Sequence, residues 1–140
     1  ALENDLHATH VDKSQLLKES DVVMLILPYT KDTHHIIGER ELTQMKSRSV
    51  LVNIARGGIV DDAALIKALR DKTIFAAGLD VYEGEPQLNP EFLELENVVL
   101  SPHIGSASEP TRRAMAMTAA KNLVAVLANN EAPINPVNPT

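Results

Sequence analysis

Residues 22–28 read Val22-Val23-Met24-Leu25-Ile26-Leu27-Pro28. A continuous apolar run of this length, closed by a proline, reads as a strand buried on both faces, as in a parallel sheet. Three further runs follow the same pattern downstream. Val50-Leu51-Val52-Asn53-Ile54-Ala55 is ended by Gly57-Gly58. Ile74-Phe75-Ala76-Ala77-Gly78-Leu79 is the third, and Val98-Val99-Leu100, closed by Pro102, is a short fourth.

Helical segments separate these runs. Asp61 or Asp62 can cap a helix whose apolar positions are Ala64, Leu65, Ala68 and Leu69, at 3.6-type spacing. Leu42 and Met45 fit a shorter helix after Gly38, and Ser14, Leu16 and Leu17 fit one before the first strand. Strands alternating with helices predict an α/β fold with a parallel sheet. The closing part differs. Ser108 can cap a long helix with Pro110 in its first turn and a stripe of Ala116, Ala120, Leu123, Val124 and Leu127. Asn129, Asn130 and Pro133 stop it, and the proline-rich tail beyond is expected to be an extended strap.

Bulk properties narrow the function classes. The chain has 140 residues, one domain by length, with 44% hydrophobic and 23% charged residues, which argues against disorder. A formal net charge of −6 disfavours non-specific attraction to nucleic acid or to anionic membrane surfaces. There is no cysteine, which removes disulfides, thiolate metal sites and cysteine nucleophiles. The longest apolar run, Val22–Leu27, is too short to span a bilayer. A cytoplasmic setting is expected, and the opening at Ala1 without a leader fits a processed chain or a piece of a longer one.

Ligands of open α/β sheets bind outside the carboxyl ends of the strands. Arg56 follows the second run, Asp80 ends the third, Glu85 lies in the loop after it, and His103 follows the fourth. Reduction of a 2-keto acid needs these groups. A guanidinium can hold the carboxylate and carbonyl oxygen together. A histidine can give a proton to the oxygen as it gains charge. A carboxylate beside the imidazole favours its protonated form. Taken singly, each residue has a plainer reading: a loop cation, a solvated carboxylate, a turn histidine, a turn cap. Their joint position at strand ends outweighs those readings.

The same residues sit in recognisable words. Asn53-Ile54-Ala55-Arg56-Gly57-Gly58-Ile59-Val60-Asp61, Gly78-Leu79-Asp80-Val81-Tyr82-Glu83-Gly84-Glu85-Pro86 and Ser101-Pro102-His103-Ile104-Gly105-Ser106 resemble the arginine, glutamate and histidine motifs of the D-isomer-specific 2-hydroxyacid dehydrogenases. Order and spacing agree, with 85 − 56 = 29 and 103 − 85 = 18 positions between them. Leu25-Ile26-Leu27-Pro28, Thr33-His34-His35, Gly105-Ser106-Ala107 and Val137-Asn138-Pro139 bring the resemblance closest to bacterial glyoxylate/hydroxypyruvate/2-ketogluconate reductases.

The resemblance implies the second half of a Rossmann-like doubly wound parallel sheet plus a long C-terminal connecting helix. It implies Arg56 as the keto acid ligand, His103 as general acid in reduction and base in oxidation, and Glu85 as its partner. Asp80 would hold the nicotinamide carboxamide of NAD or NADP. Leu27, Pro28, Ile54, Ala55, Arg56, His103, Gly105 and Ser106 would line the cofactor. A small 2-keto acid is the implied partner, and a homodimer of the full-length protein is expected.

One departure is large. The glycines are Gly38, Gly57, Gly58, Gly78, Gly84 and Gly105, and none forms the G-x-G-x-x-G turn that holds a pyrophosphate. The expectation is therefore a C-terminal portion. Residues 1–107 would be a partial dinucleotide-binding domain, 108–130 the connecting helix, and 131–140 a tail toward a substrate domain outside this sequence.

Two other classes compete. A non-catalytic, corepressor-like dinucleotide-binding module would keep the fold, but nothing here resembles a peptide-recruiting extension and the full set of acid, base and cation is present. A metal enzyme would need more than His34-His35, since adjacent residues on an extended segment point to opposite sides, and no metal is expected.

Overall fold

Asp12 begins a helix: its carboxylate accepts the backbone N–H of Gln15 and caps α1 (Lys13–Glu19). The computed structural model describes residues 5–137. The element order continues with β1 (Val22–Leu25), α2 (Glu39–Leu42), β2 (Val50–Asn53), α3 (Asp62–Arg70), β3 (Ala76–Leu79), β4 (Val98–Leu100) and α4 (Glu109–Leu127). Short 3₁₀ turns occupy Gly57–Ile59 and Pro90–Glu94. Among the described residues no helix is long and apolar enough to cross a membrane.

The four strands form one sheet in the order β1-β2-β3-β4, and every neighbouring pair is parallel. In register, Leu25 stands beside Asn53, Asn53 beside Leu79, and Leu79 beside Leu100. Strand ends are thereby aligned, and the loops that leave them share one edge. The strands are shorter than the apolar runs: Ile26 and Leu27 lie beyond β1, Ile54 and Ala55 beyond β2, and Ile74 and Phe75 before β3.

Side-chain alternation decides which face is covered. Val23, Leu25, Leu51, Ala77 and Leu79 are buried and cluster with Leu17 of α1, Leu42 of α2, and Leu65, Ile66, Ala68 and Leu69 of α3. α3 shows why: its N-cap is Asp61, which accepts the N–H of Ala64, and its apolar stripe repeats at helical spacing. The other face is open. Val22, Met24, Ile26 and Val99 are each more than half exposed, so burial on both faces does not hold in this chain. The apolar runs record a two-sided strand, while α1, α2 and α3 contribute residues to one side only.

The chain divides into two compact units, Ala1–Pro102 and His103–Thr140. The second unit is built on α4, which starts as expected with Ser108 accepting from the N–H of Thr111 and Pro110 in the first turn. Its expected stripe is not covered: Ala116, Ala120, Leu123, Val124 and Leu127 are all exposed, and Ala125 is the buried position on the helix. Asn122 ties the tail back, donating to Asn135 Oδ1 at 3.3 Å and accepting from the Asn135 N–H at 3.0 Å. Residues 131–137 form neither helix nor strand, and Asn138 and Pro139 lie outside the described residues.

Candidate active site at the strand ends

The turn after β2 is held by one buried side chain. Asn53, 1% exposed, accepts the N–H of Ala55 at 3.1 Å and donates to the carbonyl of Arg56 at 3.0 Å. Arg56 is exposed, with its guanidinium donating to the Ala55 carbonyl at 2.6 Å. Ile54 stands half exposed beside it, and Ala55 is buried. Leu27 and Pro28 occupy the equivalent stretch beyond β1, the first partly buried and the second exposed.

Gly57 explains why the arginine turn needs glycine. A Cβ there would fall 1.8 Å from the carbonyl oxygen of Tyr82, a backbone atom that has no rotamer to move aside. The arginine turn and the loop after β3 are therefore pressed together, backbone against backbone. This contact brings Arg56 to the loop that carries Glu85.

That loop is anchored at several points. Asp80 donates its N–H to Asn53 O at 3.0 Å, and its carboxylate accepts the Ser101 hydroxyl at 2.6 Å. The Tyr82 hydroxyl donates to Ser101 O at 2.7 Å and lies 3.1 Å from Leu79 O. Burial pushes the Tyr82 phenol upward, and the nearby carboxylates of Asp80 and Glu85 add to the shift. Glu85 is exposed and accepts the N–H of Tyr82 at 2.8 Å, turning its carboxylate back over the loop. The Glu85–Pro86 peptide is cis.

Arg56, Asp80 and Glu85 thus lie in the first unit, on loops at the carboxyl edge of β2 and β3. His103, Gly105 and Ser106 belong to the second unit and are exposed. His103 takes φ 50°, in the left-handed region that a non-glycine residue seldom occupies. Such conformations cost about 1–3 kcal/mol and concentrate at functional sites. The short turn after it is closed by Ala107 N–H to Ile104 O at 2.9 Å.

Several residues of the site carry no signal in a single sequence. Asn53 and Tyr82 stand inside the quoted motifs, but their roles depend on partners far along the chain. Asp62 is buried and accepts the Glu83 N–H at 3.1 Å. Its carboxyl is pushed up to about 6, chiefly by burial, with the nearby charges of Glu83 and Asp61 adding to the rise. His35 Nε2 lies 2.9 Å from Glu83 Oε1. The His34 and His35 rings also depart from expectation: they do not point to opposite sides but stack, centroids 3.8 Å apart. His35 at φ 49° makes this segment a turn rather than an extended chain.

Comparison with known proteins gives the family and the fold. The family described as D-isomer specific 2-hydroxyacid dehydrogenase, NAD binding domain, matches residues 2–105. A glyoxylate reductase of Thermococcus litoralis is 52% identical over 136 residues, 97% of this chain and 41% of that protein. A glyoxylate/hydroxypyruvate reductase B of Enterobacter agglomerans is 50% identical over 138 residues, 98% of this chain and 42% of its own length. Among solved structures, an NADPH-dependent glyoxylate/hydroxypyruvate reductase of Sinorhizobium meliloti, in complex with NADP and malonate, superposes with a TM-score of 0.85 at 38% identity. That match covers 93% of this chain and 40% of the other. The chain spans about two fifths of the length of these relatives.

Proposed function

The chain belongs to the D-isomer specific 2-hydroxyacid dehydrogenase family, over its NAD binding domain, and from that premise we propose that the whole protein is an NAD(P)-dependent oxidoreductase acting on a 2-keto or 2-hydroxy acid. Substrates of the glyoxylate, hydroxypyruvate or 2-ketogluconate type fit it, as do the names of its relatives. The observation that carries the reading is the pressing of the arginine turn onto the glutamate loop through Gly57 and Tyr82, with Asp80 tied to Asn53 and Ser101.

The donor set suits the nicotinamide end of NAD or NADP. Asp80 is oriented by Ser101 and offers a carboxylate to the carboxamide N–H groups. Half-exposed Ile54 offers an apolar wall beside it, with Leu27, Pro28 and Ala55 on the same edge. When bound, the nicotinamide supplies the reducing equivalent. Arg56 holds the substrate carboxylate and keto oxygen through its forked donors. His103 delivers a proton to that oxygen in reduction and removes it in oxidation, and Glu85 stabilises the imidazolium. Gly105 and Ser106 are assigned to the cofactor by the family resemblance. The pyrophosphate is held by a glycine-rich turn, a pattern that the six glycines here do not form. Residues 1–107 are read as the partial dinucleotide-binding domain, 108–130 as the connecting helix and 131–140 as the strap toward the substrate domain. A cytoplasmic homodimer completes the proposal by resemblance.

The test is nicotinamide absorbance over time with NADH or NADPH and hydroxypyruvate or glyoxylate, on the full-length protein. His103→Ala is expected to lower kcat by about 10²–10⁴-fold, the usual worth of acid–base help. Undiminished turnover in that variant overturns the assignment.

A further inference from the structure

A second cluster of chemistry-bearing groups lies on the first unit, outside the set assigned to keto acid reduction. One ligand atom each from His34, His35 and Glu83 lie within 4.8 Å of one another. We propose that these three side chains form a binding site for a zinc-like divalent cation, with water completing the coordination shell.

The donor chemistry is the first argument. Two imidazoles and one carboxylate are the ligand set of borderline cations such as Zn²⁺, whereas hard cations such as Mg²⁺ prefer oxygen alone. Size is the second. Zinc sits about 2.0–2.1 Å from imidazole nitrogen and about 2.0–2.2 Å from carboxylate oxygen, so tetrahedral donors stand about 3.3 Å apart. His35 Nε2 and Glu83 Oε1 are already 2.9 Å apart, and they reach that spacing by a few tenths of an ångström of movement.

Outer contacts are the third argument. Metal-bound histidines are oriented by a partner on the other ring nitrogen. The Tyr29 hydroxyl stands 3.1 Å from His34 Nδ1, which leaves Nε2 as the ring nitrogen available to an ion. Asp61 Oδ2 is 4.0 Å from His35 Nδ1. Ligation takes the Nε2 lone pair of His35, so its ring proton resides on Nδ1, facing Asp61. The Glu83 carboxylate exchanges its contact with His35 for the cation, and the Nε2 proton of that contact is lost to solvent as the Nδ1 proton is kept or gained.

The segments bearing the ligands are fixed before any ion arrives. His35 N–H donates to Gly58 O at 2.8 Å and Ile37 N–H to Ile59 O at 3.2 Å. Glu83 N–H donates to Asp62 Oδ2 at 3.1 Å. The two imidazoles stack with 25° between their planes, and ligation through both requires the rings to tilt so that their lone pairs converge. His34 is exposed and His35 partly so, which leaves room for that motion.

The test needs no turnover, so its failure is distinguishable from failure of the reductase reading. Zinc chloride is titrated calorimetrically into the 140-residue chain near neutral pH in a non-chelating buffer. One ion per chain is expected. His34→Ala and Glu83→Gln should each weaken binding at least tenfold, while His10→Ala leaves it unchanged. Glu83→Gln keeps an acceptor for His35 and guards against loss of fold, which circular dichroism checks. Affinity unchanged within twofold in both His34→Ala and Glu83→Gln, or lost in His10→Ala alone, overturns the site.

Discussion

Replacing Asp62 by asparagine is expected to make the protein more stable, and only above mildly acidic pH. Asp62 is 8% exposed and lies beside Asp61 and Glu83. Its carboxyl rises from the ordinary 3.8 to about 6 in the folded chain. The folded state therefore holds a proton that the unfolded state has lost, and stability falls as pH climbs from about 4 to about 6. At about 1.4 kcal/mol per tenfold change in proton affinity, ionised Asp62 costs up to about 3 kcal/mol at pH 7. Asparagine carries no charge yet keeps a carbonyl oxygen for the Glu83 N–H, so it resembles the protonated acid. Urea denaturation followed by circular dichroism at several pH values measures the difference. Parent and Asp62→Asn should match near pH 4, and the variant should gain about 1–3 kcal/mol by pH 8. A variant less stable than the parent at pH 8, or a gain of the same size at every pH, would refute the reasoning.

Other positions give sharper single outcomes. Gly57→Ala drives a Cβ into the Tyr82 carbonyl and should destabilise by about 2–4 kcal/mol, seen as a lowered urea midpoint. Leu65→Ala, at a position with 0% exposure, should cost about 2–5 kcal/mol by the same assay. Arg56→Lys in the full-length protein keeps the charge but loses the fork, and should raise KM for the keto acid about tenfold or more; an unchanged KM places the substrate elsewhere. The open sheet face of Val22, Met24, Ile26 and Val99 should make this chain self-associate with concentration. Met24→Lys should reduce that association in sedimentation.

What could be read from one sequence, and what could not, divides by range. Strand and cap signals are local, so the four runs, the Asp61 and Ser108 caps and the parallel sheet follow from neighbours a few residues apart. The position of Arg56, Asp80 and Glu85 beyond the strand ends was legible because each follows an apolar run, and the register aligns those ends. Readings failed where long-range information was wanting. An apolar run tells that a strand can be covered on both faces, not that this chain provides both covers. A histidine pair tells nothing of its directions until the φ of His35 is known.

The latch around Glu83 shows the same limit from the functional side. His35 and Asp62 reach Glu83 across 48 and 21 positions, distances at which no spacing rule operates. Both contacts fall two residues before Glu85, on a loop already pressed against the Arg56 turn through Gly57. A charge placed at Asp62 therefore acts on the backbone that carries the proposed partner of the general acid. The loop accepts the cost of a buried carboxylate while gaining a fixed position, and Asp62→Asn separates the two, since it removes the cost and keeps the acceptor. If the carboxylate serves only to hold the Glu83 N–H, kcat in the full-length variant stays within about twofold of the parent while stability rises. A tenfold fall in kcat at unchanged KM would instead show that the negative charge itself acts on Glu85, and that the latch is electrostatic rather than positional.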